Sequence, residues 1–191
     1  KRLRGQTLGL VGFGNIARAV VAKAKGFGLR VIAYDPFVPE EIMRVHFGVE
    51  KVELENLLQQ SDFVSLHVSL SKSNRKMLGE EHFRMMKPTA FFINTARGGL
   101  VEEESLARAL QEKWIAGAGL DVMDSEPPSQ DNPILRMQNV IISGHSAQYS
   151  DDSEKELWQI PLEEAVLTLQ GKFPRFAVNP EVKEKWLKKW G

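Results

Sequence analysis

The sequence lacks cysteine altogether, and it has neither a long apolar run nor an excess of either charge. Without cysteine the chain cannot form a disulfide framework, a zinc–thiolate site or a cysteine nucleophile. Its longest apolar runs, such as residues 90–93, are far too short to span a bilayer. These absences exclude a disulfide-stabilised scaffold and thiol chemistry, and we expect no membrane partner.

The charges balance, because the chain has 25 Lys and Arg and 25 Asp and Glu, which gives a formal net charge of zero. Nucleic-acid-binding domains usually carry an excess of basic residues, so we expect no nucleic-acid partner. The first six residues, KRLRGQ, lack the apolar stretch of a signal peptide. Of the 191 residues, 42% are hydrophobic, which is enough apolar material for one large domain, and we expect a soluble, cytoplasmic protein.

Short β-rich segments alternate with segments of helical spacing. The predicted strands cover 7–11, 30–34, 63–67, 90–94, 116–121 and 140–143, and the predicted helices cover 16–27, 53–60, 80–86 and 102–111. This order predicts a doubly wound α/β fold with a parallel sheet, right-handed crossovers and helices on both faces. Prolines predict a loop over 124–133, while Pro161 predicts a kink or restart in a helical segment over 151–170. The tail 172–191 is expected to be irregular.

The first predicted strand runs directly into the G-x-G-x-x-A string Gly12-Phe13-Gly14-Asn15-Ile16-Ala17. Gly12 permits a tight turn, Gly14 allows a pyrophosphate to approach the backbone, and the small Ala17 lets the next helix pack closely on the sheet. The N–H groups at the start of that helix, around Asn15 and Ile16, would bind the anion. The string alone is weak, but its position between a strand and a helix favours a dinucleotide-binding site.

Asp35 ends the second predicted strand, in the position where a dinucleotide-binding fold places an acidic residue. A carboxylate there accepts hydrogen bonds from both ribose hydroxyls and repels a 2′-phosphate. The next residues, Pro36 and Phe37, supply no compensating basic group. We therefore expect NAD rather than NADP as the cofactor. The alternative is that Asp35 is a solvated turn residue.

The second half of the chain carries two longer strings, FINTARGGLV over 92–101 and AGAGLDV over 116–122, followed by Glu126-Pro127. With the glycine-rich string, they closely resemble the cofactor domain of the D-2-hydroxyacid dehydrogenase family, from residue 3 to about residue 149. The resemblance implies a Rossmann-type dinucleotide-binding domain over 1–150. It also implies that 151–191 returns to a substrate domain, most of which this chain does not contain.

The resemblance also implies a catalytic set of Arg97, Glu126 and His145. His145 as imidazolium would protonate the carbonyl oxygen of a 2-oxo acid while NADH delivers hydride to the carbon. Glu126 would orient the imidazole ring, and Arg97 would pair with the substrate carboxylate and polarise the carbonyl. The alternatives are a surface arginine, a glutamate of a solvated acidic loop and a structural histidine.

Further contacts with NAD are implied at the ends of the strands. The residues concerned are His67, Val68, Ser69, Asn74, Thr95, Ala96, Arg97, Asp121 and His145. Asp121 would hydrogen-bond the carboxamide, unless it is an ordinary turn residue. Ser69 and Gly144 stand where the family usually has proline, so the backbone before Leu70 and before His145 is expected to be less rigid.

The function implied is that of an NAD-dependent oxidoreductase acting on a 2-hydroxy or 2-oxo acid, as a homodimer and without a metal. As the cofactor half of a two-domain protein, the chain alone is expected to be weakly active or inactive. One alternative is an NAD(H)-sensing, dimerising corepressor of the C-terminal binding protein type, whose motifs are similar. Another is a bare NAD-binding module with a structural use only.

Overall fold

The computed structural model describes residues 2–191, which form seven β-strands and six α-helices. The strands are β1 (Thr7–Val11), β2 (Arg30–Tyr34), β3 (Glu50–Lys51), β4 (Phe63–Leu66), β5 (Phe91–Asn94), β6 (Gly117–Leu120) and β7 (Val140–Ile142). The helices are α1 (Asn15–Gly26), α2 (Leu54–Gln60), α3 (Glu80–Met85), α4 (Glu103–Gln111), α5 (Asp151–Leu169) and α6 (Lys183–Trp190).

The strands form one parallel sheet in the order β3-β2-β1-β4-β5-β6-β7. In its register Leu10 lies opposite Ala33 on one side and Ser65 on the other. The order reverses between β1 and β4, and ligands of such sheets bind in the crevice at the carboxyl ends of the strands beside that point. The predicted doubly wound α/β fold is therefore confirmed.

Two hydrophobic clusters cover the two faces of the sheet. Neighbouring residues of β1 point to opposite faces, so Leu10 belongs to one cluster and Val11 to the other. On the first face, α1 buries Ala17 and Val21, which lie on one side of the helix. Each large apolar side chain that is fully buried contributes roughly 1.5–3 kcal/mol. This packing fixes α1 beneath the turn that leaves β1.

The boundaries of the six predicted strands agree with the structure to within one residue at each end. The short strand β3 and a π-helical turn over Ile42–His46 were not predicted. β3 has only two residues, both charged, so it carries no apolar alternation. Its pairing of Glu50 with Ile32 of β2 creates a strand that no local pattern indicates.

The chain divides into two compact units, Lys1–Ala147 and Gln148–Gly191. In the second unit α5 runs unbroken through Pro161, so the predicted restart is wrong. The prediction of an irregular tail is also wrong over α6, where Trp186 packs edge-on against Phe173 with 5.7 Å between ring centroids. Across residues 2–191, each helix is too short or too polar to cross a bilayer. The assignment of 151–191 to a substrate domain stays a prediction.

Candidate cofactor and acid–base site

The turn between β1 and α1 has the shape that a pyrophosphate needs. Gly12 has a φ of +93°, and a Cβ there would lie 2.7 Å from the carbonyl oxygen of His67. A Cβ on Gly14 would instead point into open space. The first turn of α1 carries uncharged residues and Arg18, so its N–H groups can donate hydrogen bonds to an anion. The predicted glycine turn is therefore present, with Ile16 exposed beside it, and its contact with a pyrophosphate stays a prediction.

Asp35 follows β2 and is fixed by main-chain hydrogen bonds. Its Oδ2 accepts from the N–H of Phe13 at 2.9 Å, and its Oδ1 accepts from the N–H groups of Phe37 at 2.9 Å and Val38 at 3.2 Å. The side chain is half-buried. These bonds hold a carboxylate beside the glycine turn, where it fits the ribose of NAD.

A cleft of about 320 Å³ opens where β4 and β5 end. Its size is within the range of small-ligand pockets. It is lined by Ile16, Leu66, His67, Val68, Ser69, Leu70, Thr95, Ala96 and Arg97. All of these except Leu66 and Leu70 are residues that the sequence predicts to bind NAD, so the fold brings most of the predicted set together.

His67 and Asn74 have clear structural contacts on this side of the cleft. Burial lowers the pKa of His67, whose Nε2 lies 3.0 Å from Ser65 Oγ. The Asn74 amide closes its own loop, since Oδ1 accepts from Ser71 N–H at 2.7 Å and Nδ2 donates to the Ser69 carbonyl at 2.8 Å. Asn74 lies outside the lining of the cleft, and its predicted contact with NAD stays a prediction.

The turn that carries Arg97 is held by Asn94, a residue that the sequence analysis did not single out. Asn94 is 1% exposed; its Nδ2 donates to the Arg97 carbonyl and its Oδ1 accepts from Ala96 N–H, both at 3.0 Å. A Cβ on Gly98 would lie 2.0 Å from the carbonyl group of Met123. Asn94 and Gly98 both lie in the FINTARGGLV string. An asparagine or a glycine after a strand is typical of a turn, and that was the available signal for their structural role.

His145 and Glu126 form a close pair. His145 Nδ1 lies 2.7 Å from Glu126 Oε2, and the two side chains are 40% and 39% exposed. The hydrogen bond from His145 lowers the pKa of Glu126, burial opposes this, and the Met123 N–H and the charges of His145 and Arg97 lower it further. The carboxylate is therefore ionised, and Nδ1 donates to it. The charge of Arg97 also acts on Glu126, and the catalytic roles predicted for the three residues stay predictions.

Asp121 holds the turn that presents His145. It is 4% exposed, and its carboxylate accepts from Ser143 Oγ at 2.6 Å, Ser146 N–H at 2.8 Å and Ala147 N–H at 3.0 Å. Burial acts to raise the pKa of Asp121, but these hydrogen bonds outweigh it and lower the pKa. The turn is thus held although Gly144 replaces the proline usual in the family.

The backbone of His145 is held in an uncommon conformation. Its φ is +56°, in the left-handed region, and its N–H donates to the Asp121 carbonyl at 2.9 Å. Such a backbone costs energy in a residue other than glycine, and the surrounding hydrogen bonds maintain it. The predicted contact of Asp121 with the NAD carboxamide stays a prediction.

The NAD-binding domain profile of the D-isomer specific 2-hydroxyacid dehydrogenases matches residues 1–147. A glyoxylate reductase from Korarchaeum cryptofilum is 45% identical over 178 residues, which is 93% of this chain and 53% of that protein. A D-3-phosphoglycerate dehydrogenase from Methanocaldococcus jannaschii is 39% identical over 189 residues, which is 98% of this chain and 36% of that protein.

Solved structures agree with this assignment. The NAD-complexed form of a D-isomer specific 2-hydroxyacid dehydrogenase from Lactobacillus delbrueckii ssp. bulgaricus superposes with a TM-score of 0.84 at 36% identity, over 94% of this chain and 58% of that one. The chain spans about half the length of the glyoxylate reductases that it matches. It belongs to the D-isomer specific 2-hydroxyacid dehydrogenase family and forms the family's NAD-binding domain.

Proposed function

We propose that the protein takes part in the NAD-dependent interconversion of a 2-oxo acid and a 2-hydroxy acid, and that this chain holds both the cofactor and the acid–base pair. The observation that carries the proposal is the 2.7 Å contact between His145 Nδ1 and Glu126 Oε2. The charge of Arg97 acts on the same carboxylate, and Arg97 also lines the cleft. The histidine–carboxylate contact and a cation in the cleft lining support the roles of proton donor, orienting group and substrate anchor.

The cradle residues hold the cofactor in this proposal. The turn at Gly12 and Gly14 and the N-terminus of α1 bind the pyrophosphate, and Asp35 accepts from the ribose hydroxyls. Bound NADH supplies the hydride for reduction of the carbonyl carbon. The walls of the cleft, which include Val68 and Ala96, exclude water from one side of the cofactor.

His145 exchanges the proton. Because Nδ1 donates to Glu126, Nε2 carries the proton that is given to the carbonyl oxygen during reduction and taken from the hydroxyl in the reverse direction. Glu126 remains ionised in both directions and keeps the ring in one orientation.

Arg97 binds the carboxylate of the acid. Its Nη1 donates to the Ala96 carbonyl at 2.6 Å, which steadies the side chain, and the guanidinium has further N–H groups for a substrate. A planar, permanently charged fork suits a carboxylate next to a carbonyl that is being reduced. The names of the relatives make glyoxylate the first acid to test.

Two measurements test the proposal. A titration that follows NADH fluorescence should saturate, and a folded chain that binds no NADH at millimolar concentration would contradict it. Oxidation of NADH with glyoxylate or pyruvate should then depend on His145. If NADH changes the oligomeric state without any turnover, the result would favour a dimerising NAD(H) sensor instead.

The proposal includes a homodimer and a role for 151–191 in a substrate domain. Trp158 is 78% exposed and Leu169 is 88% exposed, both on α5. Exposed apolar side chains of this size are typical of a surface that contacts another subunit or domain, which supports both parts of the proposal. Sedimentation equilibrium should show a dimer, and a monomer at all micromolar concentrations would contradict this part of the proposal.

A further inference from the structure

Residues 124–132 lie between β6 and β7 and carry Glu126, and we call them the 124–132 loop. The carboxylate of Glu103 accepts a hydrogen bond from each end of this loop. Glu103 Oε2 accepts from the N–H of Asp124 at 3.0 Å, and Glu103 Oε1 accepts from Asn132 Nδ2 at 2.6 Å. Glu103 is the first residue of α4, and its side chain is half-buried. One side chain on a helix thus holds both ends of the loop.

These contacts bear directly on the position of Glu126. Met123 N–H donates to Glu126 Oε1 at 3.1 Å, so the backbone at residues 123–124 supports the catalytic carboxylate. Gly98 packs against this backbone: a Cβ there would lie 2.4 Å from the Asp124 nitrogen, and the adjoining void measures about 10 Å³. Packing therefore blocks movement of the loop inward, and Glu103 opposes its movement outward.

The loop has a second, weaker tether. Arg75 Nη2 lies 3.0 Å from Asp124 Oδ1, and the Arg75 side chain is 54% exposed. Exposed ion pairs of this kind contribute little, because water and salt screen them. Glu103 accepts two hydrogen bonds with a half-buried side chain, and hydrogen bonds to a carboxylate are the stronger kind.

We propose that Glu103 is a positioning residue, whose carboxylate holds the 124–132 loop so that Glu126 meets His145. This inference rests on the proposed acid–base function. Glu103 acts through the loop, and it lies outside both the cleft lining and the cradle. Its loss should therefore disturb the acid–base pair and leave cofactor binding unchanged.

Two isosteric variants break the tether from opposite sides. Glu103→Gln replaces one acceptor oxygen with an NH₂ group, which then faces one of the two donors, the Asp124 N–H or Asn132 Nδ2. Asn132→Asp sets two carboxylates against each other, while its Oδ1 still accepts from the N–H of Ile134, as Asn132 Oδ1 does at 3.0 Å. In the double variant the new amide donates to the new carboxylate, so complementarity returns. Glu104→Gln, at the exposed neighbouring position, is the matched control.

The main readout is the pKa of the Glu126 carboxyl group, measured by a pH titration of the full chain with carbon NMR. Each single variant should raise the pKa of Glu126 towards its ordinary value, because the contact with His145 is loosened. Any turnover should fall by about ten- to a hundredfold in each single variant. The double variant should recover most of the lost turnover and most of the lowering of the Glu126 pKa. The dissociation constant for NADH should stay within about twofold, since the sites are separate.

Two results would overturn the inference. In one, the single variants lower the melting temperature but leave the titration of Glu126 as in the parent chain, which indicates a purely structural role. In the other, the double variant recovers nothing. If one single variant fails to fold, its counterpart across the same hydrogen bond gives the same test. The NMR titration needs no turnover, so failure of the proposed function remains distinguishable from failure of this inference.

Discussion

The cofactor cradle and the catalytic edge of the sheet are built by different means. In the cradle, at the ends of β1 and β2, main-chain N–H groups and glycine conformations set the geometry, as at Gly12 and Asp35. At the catalytic edge, beyond β5, β6 and β7, buried side chains hold the loops, as Asn94 and Asp121 do. Substitutions of these supporting residues should therefore act through loop position, whereas substitutions in the cradle should act on the ligand directly.

The largest effect is expected for Gly98→Ala. The new Cβ would lie 2.0 Å from the Met123 carbonyl, so two catalytic loops must separate. We expect a loss of at least about 3 kcal/mol in the free energy of unfolding, as for severe overpacking. Urea denaturation measures it. Gly119→Ala is the control, because its Cβ would meet open space; equal losses in both variants would refute the steric explanation.

The next largest effect is expected for His145→Asn. Asparagine tolerates the left-handed backbone at this position, so the loss should come from proton transfer rather than from refolding of the turn. Because a positioned acid–base group contributes about 10²- to 10⁴-fold, whatever turnover the chain supports should fall to the background rate, while NADH binding changes little. Steady-state oxidation of NADH with glyoxylate measures this, and the exposed His46→Asn serves as the control. Unchanged turnover would remove His145 from the mechanism.

A smaller effect, dependent on pH, is expected for Asp121→Asn. The pKa of Asp121 is lowered in the folded state, so its stabilising contribution is present above its unfolded pKa of about 3.9 and is lost as the pH falls through the folded value. At pH 7 the variant should lose about 1–3 kcal/mol, because its amide faces hydrogen-bond donors. Urea denaturation at pH 7 and pH 3 should show the difference narrowing in acid.

The control for Asp121 is an exposed carboxylate of the same type. Asp131→Asn should change the free energy of unfolding little at either pH, because Asp131 is exposed on its loop. A difference between the parent chain and Asp121→Asn that stays constant with pH would show that the charge of Asp121 is not what holds the turn.

The smallest of the four effects is expected for Asp35→Asn in the cradle. Removing the charge weakens the hydrogen bonds to ribose, and the affinity for NADH should fall about tenfold. The preference for NADH over NADPH should narrow, because the carboxylate no longer repels a 2′-phosphate. Fluorescence titrations with both cofactors measure it, with the exposed Glu40→Gln as the control. An unchanged preference would mean that Asp35 serves only its own turn.

Much of the cradle was predictable because its signals are local. Gly12, Gly14 and Asp35 follow directly from a strand, a turn and the end of the next strand, and the structure brings them together. The residues that we propose for catalysis came from the resemblance of the motifs to a known family, but the residues that support their loops were not predicted. Asn94 holds its own turn, but Gly98 and Glu103 act on a distant loop, so the roles of these two residues depend on contacts that no local pattern records.

The sequence by itself determined the parallel α/β fold and the glycine turn after β1, because apolar periodicity and glycine positions express them directly. The acid–base residues followed from the resemblance of ordered motifs to a known family, and their roles are proposals. Only the tertiary structure decided how those residues meet. The two-residue strand β3, the left-handed backbone at His145 and the hold of Glu103 on the 124–132 loop all arise from long-range packing and hydrogen bonds. Their energies depend on distances between segments that are set only when the sheet has formed.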